Sequence, residues 1–534
     1  MKQFIAAFAL VILLFANPGS AQNSAAHVLA SSSLPAQQSP DPQKAPPAPT
    51  SGNAPDVLSG PAFQTRVDLV LVPVVVRDKQ GKHFAGLTKD SFRLEENGKD
   101  QVISLFEEVQ AAANDSSPIP VLDRGYSNLP FDNTRELRLT ILLLDLLNTT
   151  PLQRTDGKDD LIKFLSKGLP RNQPVSLLCL TYDGLRLVHP FTADTILLIQ
   201  TLKKLSPGGE RLMPRTEAAL QTLRQLREIA HGYTGIPGRK TLIFAAGNIP
   251  DPQIETSLYD SRSSAIEAFQ QTWNNLIDAN IAVYPIQLMA WAGNPGSRNI
   301  RLPSGEATLR EFADATGGNR CMESNELMRC LAEAVEDSRS YYMLGFSVRP
   351  DDRKPGWRDL KVKVSAEHAN VRARNGFYFG NPGPSGSQPT VHDAEINALA
   401  SPLAYSAVPM YVRVLPPAPT PSPNATPTAL GKETTVKFLV TIPLSSVKID
   451  PSNPSPLDLE IGAIALTRDT REAGEFLHPV RGNPNPELLQ KFAREGISLE
   501  EKLDLLPGSY DIRFMARDNN AAQIGTVVFP LDVK

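Results

Sequence analysis

The chain has few cysteines, little net charge and no long apolar run beyond its first residues. Its 534 residues include three cysteines and carry a formal net charge of −3. With charges this closely balanced, no strong electrostatic field would draw the protein to nucleic acid or to an anionic membrane. The length is too great for one ordinary domain. The composition therefore favours a globular protein of several domains.

Familiar catalytic motifs are also missing from the sequence. The seven histidines are scattered, and none forms a His-Glu-x-x-His motif or another close pair of metal ligands. The chain contains no Gly-x-Ser-x-Gly elbow, phosphate-binding loop or Gly-x-Gly-x-x-Gly sequence. We therefore predict that the protein is not an enzyme. A hydrolase remains an alternative without a nucleophile–base pair to support it.

The N-terminus has the features of an export signal. Lys2 supplies a positive charge, residues 4–16 form an apolar core, and Gly19, Ser20 and Ala21 are small residues before a cleavage point. We predict a signal peptide over 1–21, a periplasmic or extracellular location, and no transmembrane span after its removal. The core is short for a bilayer span. An uncleaved membrane anchor is the alternative.

The three cysteines are consistent with one disulfide bond. Cys321 and Cys330 are nine positions apart, and in an exported protein they could pair. Cys179 lies in an apolar run and would remain as a buried thiol. The alternative is three unreacted thiols.

Changes in composition and periodicity divide the chain into segments. We predict a signal peptide (1–21), a disordered Pro/Ser/Ala linker (22–60), a small β module (62–110), an α/β domain (136–347), a β extension (357–380), a second linker (381–395) and a C-terminal β domain (396–534). Residues 111–135 are polar and are predicted as a loop.

The α/β domain and the C-terminal domain differ in their periodicity. Between 136 and 347 strands alternate with helices, which predicts right-handed crossovers and a doubly wound, mostly parallel, Rossmann-like sheet. The segment 341–346 is predicted to be its last strand. The C-terminal domain has short strands separated by turns, which predicts a β-sandwich.

Polar side chains follow three of the predicted strands of the α/β domain. The apolar run Leu139–Leu144 ends at Asp145, and ligands of such sheets bind beyond the carboxyl ends of the strands. We predict that this edge binds a partner through Asp145, Asn148, Thr149, Asp183 and Asn248.

Several stretches of the α/β block and its flanks resemble von Willebrand factor type A (VWFA) domains, and more narrowly the VWFA-related group common in acidobacterial genomes. The resemblance covers roughly 62–380. The stretches that carry it are Val67–Phe106, Leu142–Thr149, Gly235–Lys240, Thr316–Gly318 and Ala334–Phe346, together with 280–286.

The resemblance implies a metal-ion-dependent adhesion site, in which Asp-x-Ser-x-Ser, a Thr and a later Asp hold a divalent cation such as Mg²⁺. Asp145 and Thr149 match that pattern, and Thr216 could supply the Thr of the second loop. Leu147 stands at the first Ser position and Asn248 stands where the later Asp is usual. The implied site is therefore degenerate. The alternative is that Asp145, Asn148 and Thr149 bond the loop backbone and cap the next helix.

Together these features predict an exported, non-enzymatic protein that contacts a protein or envelope component through the top face of the α/β domain. A structural envelope protein with a vestigial site is the alternative. The sequence predicts no nucleic-acid partner, and it leaves the partner's identity and the oligomeric state open.

Overall fold

A computed structural model describes residues 69–110, 125–129, 138–170, 172–205, 213–251, 262–288, 303–321, 327–348, 354–380, 391–416 and 433–534. The predicted signal peptide (1–21) and first linker (22–60) lie outside these ranges. Within them, no helix combines the length and apolar character needed to cross a membrane.

The secondary structure is described in chain order. The strands are β1 (Leu69–Arg77), β2 (Phe92–Glu96), β3 (Lys99–Gln101), β4 (Ile103–Gln110), β5 (Tyr126–Ser127), β6 (Thr140–Asp145), β7 (Val175–Thr181), β8 (Gly184–Thr192), β9 (Lys240–Ala246), β10 (Ile281–Gln287), β11 (Ser340–Ser347), β12 (Gly356–Val364), β13 (Asn370–Ala373), β14 (Gly376–Phe379), β15 (Tyr411–Val414), β16 (Thr434–Ile442), β17 (Leu457–Thr467), β18 (Glu472–Gly482), β19 (Ile497–Leu505), β20 (Gly508–Asp518) and β21 (Gln523–Val533). The helices are α1 (Pro151–Lys167), α2 (Thr195–Lys204), α3 (Arg215–Tyr233), α4 (Arg262–Asp278), α5 (Pro303–Thr316), α6 (Leu327–Asp337), α7 (Val391–Ala400) and α8 (Pro486–Glu495).

A five-stranded sheet forms the centre of the α/β domain, in the order β10-β9-β6-β7-β8. The first four strands are parallel, and the edge strand β8 is antiparallel to β7, so the sheet is mixed. On β6, Ile141 and Leu143 pack into the core with α3, α4 and α5. Leu142 and Leu144 pack into the opposite core with α1, α2 and α6. Burial on both faces explains the uninterrupted apolar run of β6.

Strand β11 belongs to a different sheet, so the prediction that 341–346 closes the parallel sheet is wrong. It pairs antiparallel with β1 and β4, in a sheet ordered β13-β1-β11-β4. This sheet shares a core with a second one, ordered β14-β12-β2-β3. The N-terminal β segment and the 357–380 β segment therefore form one sandwich, completed by β11. Because β11 lies inside its sheet with Tyr341 and Tyr342 both buried, its sequence resembles that of a central parallel strand.

Two further sheets, β19-β16-β15-β5 and β18-β17-β20-β21, enclose a common core in the C-terminal part of the chain. Strand β5 comes from the segment predicted as a polar loop, and that prediction is wrong at Tyr126–Ser127. The Asn128 side chain fixes the segment: its Nδ2 donates to the carbonyls of Tyr405 and Val408 at 2.7 and 2.8 Å, and its Oδ1 accepts from Met410 N at 2.9 Å. A two-residue strand has too short a pattern to be predicted.

The second predicted linker (381–395) is wrong at its C-terminal end, where α7 begins at Val391. The glycine, proline and serine residues that predicted a linker all precede residue 391. Helix α7 is held against β20 by a buried ion pair, in which Arg517 Nη1 lies 3.0 Å from Glu395 Oε1. Residues 381–390 lie outside the described ranges.

Candidate functional site

The loop after β6 is organised by the Asp145 carboxylate, which is fully buried. Its Oδ1 accepts from the backbone N–H of Leu147 at 2.7 Å and of Asn148 at 3.0 Å. Its Oδ2 accepts from Asn148 Nδ2 at 2.8 Å. Burial raises the pKa of the Asp145 carboxyl above its ordinary value, and the donors from Asn148 and Leu147 offset part of this rise. Both carboxylate oxygens are therefore engaged inside the loop.

The side chain of Asn148 joins this loop to helix α3. Besides its bond to Asp145, Asn148 Nδ2 donates to Thr222 Oγ1 at 2.8 Å. The Thr222 hydroxyl in turn donates to the carbonyl of Ala218 at 3.0 Å. An amide nitrogen has two N–H groups, and these two bonds use both of them. The amide thus bridges the carboxylate of Asp145 and the hydroxyl of Thr222.

Thr149 is the second residue that matches the metal-site pattern, and its hydroxyl is hydrogen-bonded within the protein. Its hydroxyl donates to the carbonyl of Asp145 and lies 3.3 Å from Arg154 Nε. Arg154 Nη2 also donates to the carbonyl of Leu146 at 2.8 Å. The positive charge of the Arg154 guanidinium disfavours a metal cation in this loop, because like charges close together repel each other.

These residues do not fit a divalent cation. Mg²⁺ requires several oxygen ligands, usually including more than one with negative charge. Here one carboxylate is present, and N–H donors already occupy both its oxygens. Among the described residues, no group of three or more His, Cys, Asp or Glu side chains is arranged to hold a metal ion.

The predicted second-loop ligand, Thr216, lies in the first turn of α3. The hydroxyl that reaches the loop belongs to Thr222, six residues later and about 9 Å along the helix. Sequence reasoning missed Thr222. The available signal was a hydroxyl on the helix face that also carries Ala219, Leu223 and Leu226.

Helix α1 is capped by Thr150, not by the three residues that the sequence suggested as capping groups. Thr150 Oγ1 accepts from Gln153 N at 3.4 Å, and Gln153 Oε1 accepts from Thr150 N at 2.8 Å. This reciprocal pair is a capping box, with Pro151 at the first helical position. Gln153 Nε2 also donates to the carbonyl of Leu288, which follows β10. The cap therefore ties two neighbouring loops together.

The loop after β9 lies against the loop after β6. A side chain at Gly247 would place its Cβ 2.0 Å from the carbonyl oxygen of Asn148, so only glycine permits this approach. Asn248 follows, and its side-chain amide is buried with no hydrogen-bond partner among the described residues. The structure thus brings Asn248 to the same edge as Asp145, Asn148 and Thr149.

Asp183 lies in the turn between β7 and β8 and is exposed, like its neighbour Tyr182. Gly184 completes the turn with a φ of +119°, a conformation that favours glycine. Leu152, at the start of α1, is 49% exposed, and Tyr182 is 41% exposed. The outward surface of this edge therefore includes two apolar side chains that the sequence prediction did not name.

The structure joins Cys321 and Cys330 by a disulfide, with Cα atoms 5.5 Å apart. Cys179, on β7, is a free thiol buried in the core that β7 shares with α1 and α2. Burial raises its pKa to about 12, which leaves it protonated and unreactive at neutral pH.

Comparison with known proteins gives only a coarse likeness. No family model and no curated protein matches the chain. Solved structures to which it is similar include an aerotolerance-related membrane protein from Bacteroides fragilis (16% identity, 38% of this chain and 97% of that one, TM-score 0.25). Others are proximal thread matrix protein 1 from the mussel byssus (12%, 37% and 47%, 0.24) and the SpRpn10 VWA domain (12%, 38% and 95%, 0.22). The chain is VWA-like at most, and TM-scores this low carry no argument about function.

Proposed function

We propose that this chain is an exported, non-enzymatic interaction protein of the VWFA-related, acidobacterial type. Its partner, a protein or envelope component, binds the edge formed by the carboxyl ends of β6 and β7. The observation that carries the proposal is the Asp145–Asn148–Thr222 network, which directs the polar groups of the loop inward. Leu152 and Tyr182 remain on the outside.

A loop held in this way favours binding by surface complementarity. Its conformation is fixed by buried hydrogen bonds, so little conformational entropy is lost when a partner binds. Tyrosine and large apolar side chains are common anchors of protein interfaces. In this mechanism Asp145 positions the surface and does not ligate a metal, so binding is independent of Mg²⁺.

Export is supported by the disulfide between Cys321 and Cys330, because such bonds persist in oxidising compartments. N-terminal sequencing of the protein from its native cell tests this part of the proposal. A mature chain that begins at Gln22 is expected. A chain that retains Met1 or Lys2 contradicts cleavage.

The proposed surface is tested by partner capture with matched variants. Leu152→Ser and Tyr182→Ser change the surface. Leu506→Ser is the control, because Leu506 is also 49% exposed but immediately follows β19, in the C-terminal part of the chain. We expect one envelope component to be captured by the wild type and the control and to be lost with both surface variants. Its capture should be equal in EDTA and in Mg²⁺. Retention by the surface variants, or loss in EDTA, contradicts the proposal.

A structural scaffold is the second candidate function. It is favoured because segments distant in sequence pair within the same sheets. One sandwich is built from segments on both sides of the α/β domain, and β5 adds a strand to the distant C-terminal sheet. Such connections suit a rigid spacer. A scaffold predicts that Leu152→Ser and Tyr182→Ser leave the set of captured proteins unchanged.

A further inference from the structure

A cavity of about 380 Å³ lies at the end of the α/β sheet opposite the Asp145 loop. Arg239 and Asn280, which immediately precede β9 and β10, line it on one side, together with the C-terminal end of α4. Strands β1, β11 and β14 of the first sandwich line the other side. Most of its apolar wall is formed by Leu69, Leu71, Ile277, Met343, Phe377 and Phe379.

Two buried arginines line this cavity, each with an unused donor. Arg239 is 3% exposed and Arg374 is 8% exposed. Arg239 Nη2 donates to the carbonyl of Gly317 at 2.6 Å. Arg374 Nη2 donates to the carbonyl of Leu71 at 2.7 Å. The Nε atoms of both arginines are buried without a hydrogen-bond partner among the described residues.

Asn274, on α4, adds a third unused donor. Its Nδ2 is also buried without a described partner, and the residue lines the same cavity. A buried donor that lacks an acceptor is costly, so three around one cavity require an explanation. All three atoms belong to residues that line the cavity, so its polar lining is rich in donor groups, which favours a ligand that carries acceptors.

The charges of the lining residues indicate the charge of the ligand. Arg239 and Arg374 contribute two positive charges and Asp278 contributes one negative charge, which leaves a formal charge of +1. This balance suits a single anionic group. The apolar wall suits a hydrocarbon body, and the volume is within the range of small-molecule sites.

We propose that this cavity binds a monoanionic organic carboxylate with an apolar body, held by Arg239, Arg374 and Asn274. Guanidinium groups bind carboxylates through charge-assisted hydrogen bonds. The site is at the opposite end of the sheet from the proposed partner surface and does not depend on it. A free acid and the C-terminal carboxylate of an apolar peptide share this chemistry.

Calorimetry on the full chain tests the proposal with defined probes. We expect octanoate to bind at least about tenfold more tightly than octanamide, its neutral counterpart, and inorganic phosphate not to bind. N-acetyl-Leu-Phe with a free carboxyl group tests the peptide source. Binding of this peptide alone assigns the site to a peptide terminus, and binding of octanoate assigns it to a free acid. Equal binding of octanoate and octanamide, or no carboxylate binding at millimolar concentration, overturns the proposal.

Two variants change the charge of the site without changing side-chain shape. Asn274→Asp places a carboxylate among the donors and should weaken binding of octanoate at least about tenfold, whereas Asp278→Asn removes the competing carboxylate and should strengthen it. Asn275→Asp is the matched control, since Asn275 is adjacent on α4 but does not line the cavity. Should Asn274→Asp fail to fold, Asp278→Asn still decides the matter. Equal affinities of the Asn274→Asp and Asn275→Asp variants, or of Asp278→Asn and the wild type, contradict the site.

Discussion

Arg77 and Asp337 form a buried ion pair across 260 residues of sequence, in which Arg77 Nε donates to Asp337 Oδ1 at 2.7 Å. Asp337 also accepts from Arg372 Nη2 at 3.0 Å and from the Tyr284 hydroxyl at 2.7 Å. One fully buried carboxylate therefore connects β1 and β13 of the first sandwich with β10 of the α/β domain. Burial and the Asp337 charge raise the pKa of Tyr284 to about 12, which keeps its hydroxyl protonated as a donor.

The first prediction concerns this ion cluster. Asp337→Asn removes the counter-charge of Arg77, which is buried, and of Arg372, which is partly buried. This should lower the free energy of unfolding by about 3–5 kcal/mol. Glu336→Gln is the control, because Glu336 is 49% exposed and pairs with Arg339 at the surface. Urea unfolding followed by circular dichroism compares the midpoints of the two variants. Similar midpoints for both would contradict the role of Asp337.

The sequence predicted individual strands and helices of this chain better than it predicted their partners. The apolar run Leu139–Leu144 was predicted as a strand, and β6 occupies Thr140–Asp145. Local periodicity determines such elements. The pairing of β11 with β1 depends on residues about 270 positions apart, for example Tyr342 with Val74. Periodicity within a short window contains no information about such contacts.

The second prediction concerns the cysteines. Reaction with a thiol reagent in denaturant should detect one thiol, that of Cys179, and three after reduction. In native buffer Cys179 should react slowly because it is buried. Three thiols before reduction, in protein purified from an oxidising compartment, would contradict the bond.

Loss of the disulfide has an expected energetic effect, which is the third prediction. The bond closes a loop with a sequence separation of nine. In the chain-entropy model such a loop stabilises the protein by about 2–3 kcal/mol. Replacing both Cys321 and Cys330 by Ala should lower the free energy of unfolding by this amount. Adding reductant should lower the stability of the wild type and leave the double variant unaffected.

The fourth prediction follows from a buried lysine before the core of β9. Lys240 is fully buried, its Nζ contacts the carbonyls of Ile236 and Gly238, and burial lowers its pKa to about 7 from 10.5. Between these two values the unfolded chain binds a proton that the folded protein does not. The contribution of Lys240 to stability therefore rises with pH by up to about 1.4 kcal/mol per unit, and is flat below pH 7.

The Lys240→Met variant isolates this contribution. The other titratable groups contribute equally to the free energy of unfolding of the variant and of the wild type, so their pH dependence cancels in the difference. The free energy of unfolding, measured at pH 6, 7, 8, 9 and 10, should rise with pH above 7 in the wild type relative to the variant. Lys437→Met is the control, because Lys437 is exposed and pairs with Glu500. A difference between the wild type and Lys240→Met that is independent of pH would show that Lys240 does not titrate in this range.

The sequence predicted the residues of the candidate site that are close together in the chain, but not the one that comes from a distant helix. Asp145, Asn148 and Thr149 are close in sequence, and the structure connects them through local hydrogen bonds. Thr222 reaches the loop from 74 positions away. Motif spacing offered Thr216 in its place, because spacing alone does not fix which turn of a helix lies against a loop.

The last prediction separates a hydrogen-bonded loop from a metal site. Asn148→Ala removes the amide that bridges Asp145 and Thr222, leaving buried oxygens without a donor, and should lower the free energy of unfolding by about 1–3 kcal/mol. The control is Asn483→Ala, an exposed residue outside any helix or strand. Because both Asp145 oxygens already accept hydrogen bonds, Mg²⁺ should not change the melting temperature of the wild type. A Mg²⁺-dependent rise that is absent from Asp145→Ala would instead assign a metal to this loop.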